Sequence, residues 1–340
     1  MNWFQNLTGL VQESPENVRQ HLSACDGVLK SNINGAAHRY GQLEVISLRE
    51  LRARVAGLEC GDLPKTSERK ISIKEIVADV LDLHKDEQNQ NAIFQVASQF
   101  NLLEMVGPNV VPEAGVGIYE EDFTQGPACA IAAGAGTIYR NYFVENDGVI
   151  GQTTDHQIDT LKDLGELLGN TNGHLWEMQN GYAMATEQGL ADISSQIANA
   201  SQRIQDDLRE ALRIGLQWGV EVTLSGSGNR VTQAFCSALP VAYSRHASSK
   251  WEPFARLVLE ASYESVFCSA ILNRAQTGNG KLFLTLLGGG AFGNEFEWIV
   301  SAIERSLIKY QSFDLKIEIV SFKNSRPDVA SLVDRWDSSI

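Results

Sequence analysis

Long apolar runs are missing from this chain. No stretch of about 18 apolar residues occurs in its 340 positions, so no segment reads as a membrane-crossing helix. Its start, Met1-Asn-Trp-Phe-Gln-Asn-Leu7, has neither a basic region nor an apolar core, so no Sec-type signal is readable. Positive charge is scarce. There are 28 Lys and Arg against 42 Asp and Glu, a formal net charge of −14. Such a surface repels phosphate backbones and anionic lipid, so neither nucleic acid nor membrane is an expected partner, and a basic partner is favoured. Cysteine is sparse, odd in number and never spaced as CxxC: Cys25, Cys60, Cys129, Cys236 and Cys268. A reducing compartment is the expectation. The six histidines (His21, His38, His84, His156, His174, His246) are dispersed, so neither a metal site nor a cofactor is expected. No serine nucleophile elbow, internal repeat or low-complexity tract is visible. What remains is a globular composition, 43% hydrophobic and 21% charged, ample for one large domain or two ordinary ones.

The chain is organised around Lys281-Leu-Phe-Leu-Thr-Leu-Leu-Gly-Gly-Gly-Ala-Phe-Gly-Asn-Glu-Phe-Glu-Trp298. Seven mostly apolar residues suit a strand buried on both faces. Three glycines stop it, and beyond Asn294 the apolar spacing becomes helical: Phe296, Ile299, Val300, Ile303, Leu307. A glycine loop opening a helix is an anion site by its N–H groups and dipole, so Gly288, Gly289, Gly290, Ala291, Phe292, Gly293 and Asn294 read as a diphosphate loop. The competing reading is a tight turn packing helix on sheet. Gly288, Gly290 and Gly293 also match G-x-G-x-x-G. A dinucleotide fold is excluded by context: only one clear strand follows (315–322), and Lys323 and Asn324 stand where its ribose-binding acid belongs.

The second informative stretch is 112–140. An acidic loop with Glu113, Glu120, Glu121 and Asp122 precedes Thr124, a cap candidate, and Pro127, suited to a first helical turn. The helix that follows is nearly all Ala and Gly up to Gly136. Glycine costs a helix about 1 kcal/mol against Ala, which makes sense where backbone or ligand must come close. Thr124, Gln125, Gly126, Pro127 and Ala128 therefore read as a second helix start aimed at a ligand. A packed core helix with a solvated loop is the alternative.

Elsewhere the signals are structural. Ser14-Pro15 starts a helix, and 43–48 reads as a strand. Ser72 and Glu75 have capping-box spacing, which predicts a helix through Ile73, Ile76, Val77, Val80 and Leu83; the rival is a strand ending near Asp79, a nucleotide-base ligand. Residues 91–99 read as a core strand. Residues 155–217 read as an all-helical insertion in which Trp176, Asn180 and Tyr182 either reach a ligand or pack helices together. A strand at 220–223, another within 230–243 and a helix over 254–272 follow. The predicted domains are a mostly helical N-terminal layer (1–90), an α/β domain (91–325) and a polar tail (326–340).

This order of elements resembles the macro domain, the α/β/α fold that binds ADP-ribose. Asn101 lies where macro domains carry asparagines after a core strand, and 288–293 resembles their second diphosphate loop. Phe94-Gln-Val-Ala-Ser-Gln-Phe-Asn-Leu-Leu-Glu104 and Tyr119-Glu-Glu-Asp-Phe-Thr-Gln-Gly-Pro-Ala-Cys-Ala130 look like a branch related to poly(ADP-ribose) glycohydrolases. That branch includes bacterial effectors that remove ADP-ribose from arginine of ubiquitin. The resemblance covers about 90–322. It departs from the glycohydrolases proper, whose first loop carries a glycine run, whereas Gly115 and Gly117 stand alone. It implies a three-layer α/β/α mixed sheet and ADP-ribose held by Gln99, Asn101 and the two loops. It also implies hydrolysis of an N-glycosidic bond by carboxylates: Asp122, with Glu121 and Glu113 as alternatives. The implied partner is an ADP-ribosylated protein, with ubiquitin the candidate. The chain is expected to be a monomer in the cytoplasm, or in a host cytoplasm through a signal of another kind. The rival readings are an ADP-ribose reader without catalysis and a hydrolase of a free ADP-ribose derivative.

Overall fold

The structure is a computed structural model that describes residues 2–59, 69–226 and 228–338. Its centre is a seven-stranded sheet. In chain order the strands are β1 (Gln42–Ser47), β2 (Ser72–Val77), β3 (Ile93–Ala97), β4 (Arg213–Glu221), β5 (Arg230–Cys236), β6 (Lys281–Leu284) and β7 (Lys316–Ser321). Across the sheet they run β1-β4-β5-β3-β6-β7-β2. The five from β5 to β2 run parallel to one another, and β4 is antiparallel to both β1 and β5. The central strands are buried and mostly apolar because both faces are covered. Successive residues alternate between two cores: Ile93 and Leu282 point to one, Phe94 and Phe283 to the other.

Helices Leu48–Glu59, Glu187–Asn199, Gln202–Ala211, Ser248–Thr277 and Phe296–Tyr310 form one outer layer. Helices Val80–Lys85, Gln125–Ala132 and Gly134–Tyr142 form the other. This is a three-layer α/β/α arrangement on a mixed sheet. Among the described residues no helix is long and apolar enough to cross a membrane.

Several expectations change. The capping-box helix at 72–83 is a strand over Ser72–Val77, parallel to β7. The Glu75 carboxylate does not turn back to cap; it accepts from Ser321 Oγ, Ser325 Oγ and Arg326 N. The N-terminal layer is not mostly helical. It carries a three-stranded meander (Leu22–Cys25, Val28–Ser31, Ala37–Arg39), and it supplies both edges of the main sheet, β1 and β2. The insertion is not all-helical either. Trp176–Gln179 and Tyr182–Ala185 form a hairpin across Asn180-Gly181, both at positive φ (46° and 81°), the favoured geometry for that dipeptide. Its helix Glu187–Asn199 ends at Ala200, and Ser201 caps the next, Gln202–Ala211, by accepting from Ile204 N. The Ala/Gly helix likewise breaks at Ala133 (φ −119°, ψ 53°). The ladder of β6 ends at Leu284, because Thr285 N turns to Gln95 Oε1 and Leu287 N to Tyr263 Oη.

The tail is no loose end. Pro327–Ser338 is a helix that buries Val329, Leu332 and Trp336 against the last outer helix and β2. Leu332 is 1% exposed. Leu332→Ala is expected to lower stability by about 2–4 kcal/mol, read as the shift in urea-unfolding free energy.

Candidate functional site

Parallel strands direct their carboxyl ends to one edge, and ligands of open α/β sheets bind there. At that edge lies a cleft of about 750 Å³. Its walls are 97–99 and 104–106 after β3, the 122–127 segment, 285–292 after β6, and 320–327 after β7, with Tyr182, Ala238 and Tyr243. The two stretches singled out in the sequence thus face each other.

The helix start is seated directly on the end of β3. Gln125 Nε2 donates to Gln95 O at 2.8 Å, and Gln125 Oε1 accepts from Ala97 N at 2.9 Å, so the side chain continues the ladder. A Cβ on Gly126 would lie 1.9 Å from Ala97 O. Only glycine permits that approach, which explains the small residues here. Thr124 is the N-cap residue but makes no side-chain cap, and its N–H donates to Asp122 Oδ1 at 2.8 Å. The first turn of Gln125–Ala132 therefore opens on the cleft with its N–H groups at the positive end of the dipole.

Across the cleft, Gly288 needs glycine for its φ of 74°, and a Cβ there would meet that of Ala238 at 2.4 Å. Gly290 is different. It has no positive φ, and nothing lies within 4 Å of an added Cβ. Its backbone faces open space in the cleft. Phe292 closes one end with Tyr182 and Tyr243, ring centroids 5.1–5.6 Å apart. At the other, Arg326 lies over the Phe296 ring at 3.6 Å, and Phe322 is 59% exposed.

Of the expected ligand residues, Gln99, Thr124, Gln125, Gly126, Pro127, Gly288, Gly289, Gly290, Ala291 and Phe292 line the cleft. Asn101, Ala128, Gly293 and Asn294 do not. Asn101 is buried, its amide donating to Gln157 and its oxygen accepting from Leu103 N. Asn294 ties the glycine loop to Leu239 O. Gln99 lines the wall, but both ends of its amide bond the backbone of Met105, so it shapes the 99–105 turn. Trp176 packs on Phe254, and Asn180 donates to Pro108 O. Asp79, weighed as a base ligand, caps Val80–Lys85 by accepting from Leu81 N.

The acids separate. Asp122 lines the cleft. Glu121 is exposed on the short 3-10 turn Gly117–Glu121 and is not among the lining residues. Glu113 also lies off the cleft, its carboxylate accepting from Thr154 N and Oγ1. The acid that sequence reasoning passed over is Glu104. It lines the cleft, yet its side chain is fully buried. Its Oε1 is 3.5 Å from Arg140 Nη2, and its Oε2 has no partner. Burial pushes its pKa up to about 7, against the pull of the Arg140 guanidinium. Arg140 is itself fully buried, donating to Leu102 O and stacked 3.7 Å over Phe235. The available signal was a carboxylate directly after an apolar run, in Phe100-Asn-Leu-Leu-Glu104. Among the described residues no group of His, Cys, Asp and Glu is arranged to hold a metal ion.

A second hollow of about 660 Å³ lies at the amino ends of the strands, with Asn91, Trp218 and Arg230 on its walls. It contains neither loop and no buried carboxylate.

No protein-family model matches the chain, and no curated protein matches it in sequence. Solved structures of similar arrangement exist. Poly(ADP-ribose) glycohydrolase from Thermomonospora curvata is 10% identical with a TM-score of 0.45, covering 94% of this chain and 95% of that one. The same enzyme bound to the inhibitor ADP-HPD gives 11% and 0.43 over the same shares. Poly(ADP-ribose) glycohydrolase from Deinococcus radiodurans in complex with ADP-ribose gives 11% and 0.44, over 87% of this chain and 94% of that one. Likeness at this level assigns no role to any residue of the cleft.

The raised pKa of Glu104 has a consequence for stability. A carboxyl whose folded pKa exceeds its unfolded value stabilises fully below the unfolded value, and the contribution is lost as pH rises through the folded one. The window is therefore from about 4.5 to about 7. Urea unfolding of wild type and Glu104→Gln at pH 5 and pH 8 should show the wild type losing roughly 1–3 kcal/mol relative to the variant.

Proposed function

We propose that the protein is an ADP-ribosyl hydrolase that removes ADP-ribose from a modified protein side chain. The finer reading is an arginine linkage, with ubiquitin the candidate carrier. One observation carries this reading. Two acids in unlike settings stand at one cleft, Asp122 on its wall and Glu104 with its carboxyl fully buried behind the wall, beside a glycine loop and a helix start suited to a diphosphate. Neither loop alone is specific; the sequence resemblance supplies the ADP-ribose.

The roles follow from environment. With the diphosphate between 288–292 and the first turn of Gln125–Ala132, the distal ribose points toward 104 and 122. The bond from the ribosyl carbon to nitrogen breaks through a state with oxocarbenium character. Asp122 steadies that cation and takes a proton from the attacking water. Glu104, its pKa pushed up to about 7 by burial, supplies the proton for the departing nitrogen. Water adds to the ribosyl carbon, and free ADP-ribose and the unmodified side chain leave.

Calorimetry with ADP-ribose beside release assays on arginine- and glutamate-linked ADP-ribosyl proteins tests this. The wild type should bind and release. A wild type that binds but releases nothing from any linkage is a reader. Release from glutamate-linked substrate alone would overturn the arginine reading, and release only from small derivatives the protein substrate.

Gly290→Val should fold normally, because its Cβ enters open space, and lose ADP-ribose binding because its side chain fills the anion position. Undiminished affinity in the folded variant would place the ligand elsewhere. Asp122→Ala should keep affinity within about tenfold and lose turnover by ~10²-fold or more. Wild-type turnover in Asp122→Ala and Glu104→Gln together would remove both assignments.

A further inference from the structure

The N-terminal segment is joined to the cleft by a carboxylate that no step above uses. Glu13 stands between the helices Trp3–Thr8 and Pro15–His21. Its Oε1 accepts from Val116 N at 2.8 Å and its Oε2 from Gly117 N at 2.9 Å. Tyr142 Oη donates to Oε1 at 2.5 Å. Two successive backbone N–H groups on one carboxylate fix a peptide unit in place, and bonds to a charged acceptor are about twice as strong as neutral ones. The isolated glycines of the sequence are explained by this contact. A Cβ on Gly117 would lie 2.5 Å from Glu13 Oε2, and one on Gly115 would lie 2.7 Å from Glu13 Cδ. Trp3 adds two bonds to the same segment, from its N–H to Glu120 Oε2 and from Nε1 to Val116 O.

What this clamp holds is the turn that leads to Asp122 and touches Glu104. Val116 and Gly117 open Gly117–Glu121, and Asp122 is its C-cap residue. Tyr119, on that turn and 1% exposed, accepts from Glu104 N at 3.0 Å. A shared apolar cluster backs the arrangement: Phe4, Leu10 and Val18 from the N-terminal segment pack with Leu103, Met105, Val116 and Tyr119.

We propose that Glu13 is a positioning residue for the hydrolase site, holding the 116–122 turn so that Asp122 and, through Tyr119, Glu104 keep their places at the cleft. This rests on the hydrolase reading for its kinetic consequence and not for its structural one. Glu13 does not line the cleft. Its loss should therefore change kcat and spare binding.

The test uses the full chain and three variants, Glu13→Gln, Glu13→Ala and Tyr142→Phe. Glu13→Gln keeps shape and one acceptor, and guards against a Glu13→Ala chain that does not fold. Amide hydrogen exchange is the first measurement. In Glu13→Gln the amides of 116–122 should exchange at least tenfold faster, while those of β3, β5 and β6 keep wild-type rates. The second is steady-state release of ADP-ribose from arginine-linked protein, with ADP-ribose affinity by calorimetry. Glu13→Gln should lose kcat about tenfold, with KM and ADP-ribose affinity within about threefold, and Tyr142→Phe should fall between it and wild type. Unchanged exchange at 116–122 in a folded Glu13→Gln overturns the clamp. Accelerated exchange with unchanged kcat overturns its role in the reaction. Loss of affinity in proportion to loss of kcat marks general loosening and also overturns it. If the wild type releases nothing, the hydrolase reading has failed, and the exchange measurement still decides whether Glu13 holds the turn.

Discussion

The side chain of Gln125 is laid along the end of β3 as though it were another strand residue, donating to Gln95 O and accepting from Ala97 N. The rest of the cleft depends on that seating. It fixes the start of a helix within contact distance of a strand end, and Gly126 makes the contact possible. Gln95 then works on the neighbouring strand, its Oε1 accepting from Thr285 N just where β6 ends and the glycine loop begins. On β5, Gln233 donates to Cys129 O in the same helix and meets His84 Nε2 from the helix beside it. Buried amides thus stitch the helices Val80–Lys85 and Gln125–Ala132 to the sheet. Each of these bonds, broken in place, would leave a buried polar group without its partner at a cost above what the bond contributes.

Two buried glutamates show how the same residue type serves opposite ends. Glu264 accepts from Arg52 twice, from Arg305, from Lys309 and from Tyr310. Burial alone would raise its pKa, but those donors hold it at about 2. Glu264 is therefore a permanent anion that ties three outer helices together. Glu104 is buried as deeply and has one guanidinium at 3.5 Å and an oxygen with no partner. Desolvation wins there, and the group is poised near neutrality. The number of donors, not the depth of burial, decides which carboxylate is structural and which can carry a proton.

Much of this was legible in the sequence. The glycine loop, the Ala/Gly helix start and the core strand at 93–97 have local signatures, and the cleft joins them. The losses have physical causes. Ser72–Val77 carries a capping-box pattern, but Glu75 finds better partners across the sheet than at its own helix start. The hairpin at 176–185 hides in apolar spacing that suits either period, although Asn180-Gly181 announced the turn. The last helix looked polar because its three buried residues, Val329, Leu332 and Trp336, lie on one narrow stripe. Glu104 has no local signature because burial, which raises its pKa, is not a property of the residue but of Arg140, Tyr119 and Gly126 around it.

The positions of the acids show why composition and spacing go no further. Glu113, Glu121 and Asp122 lie within ten positions of one another, and all read as loop acids ahead of a helix. Contacts more than a hundred residues apart separate them: Glu13 with Val116 and Gly117, and Trp3 with Glu120 and Val116. These turn the 117–121 segment so that Asp122 reaches the cleft and Glu121 remains in solvent. Loop closure over such separations is entropically costly but grows only slowly with length. A small apolar cluster centred on Phe4, Leu10 and Val18 can offset it. The N-terminal segment, outside every local signature of the site, thus contacts the turn that ends at Asp122.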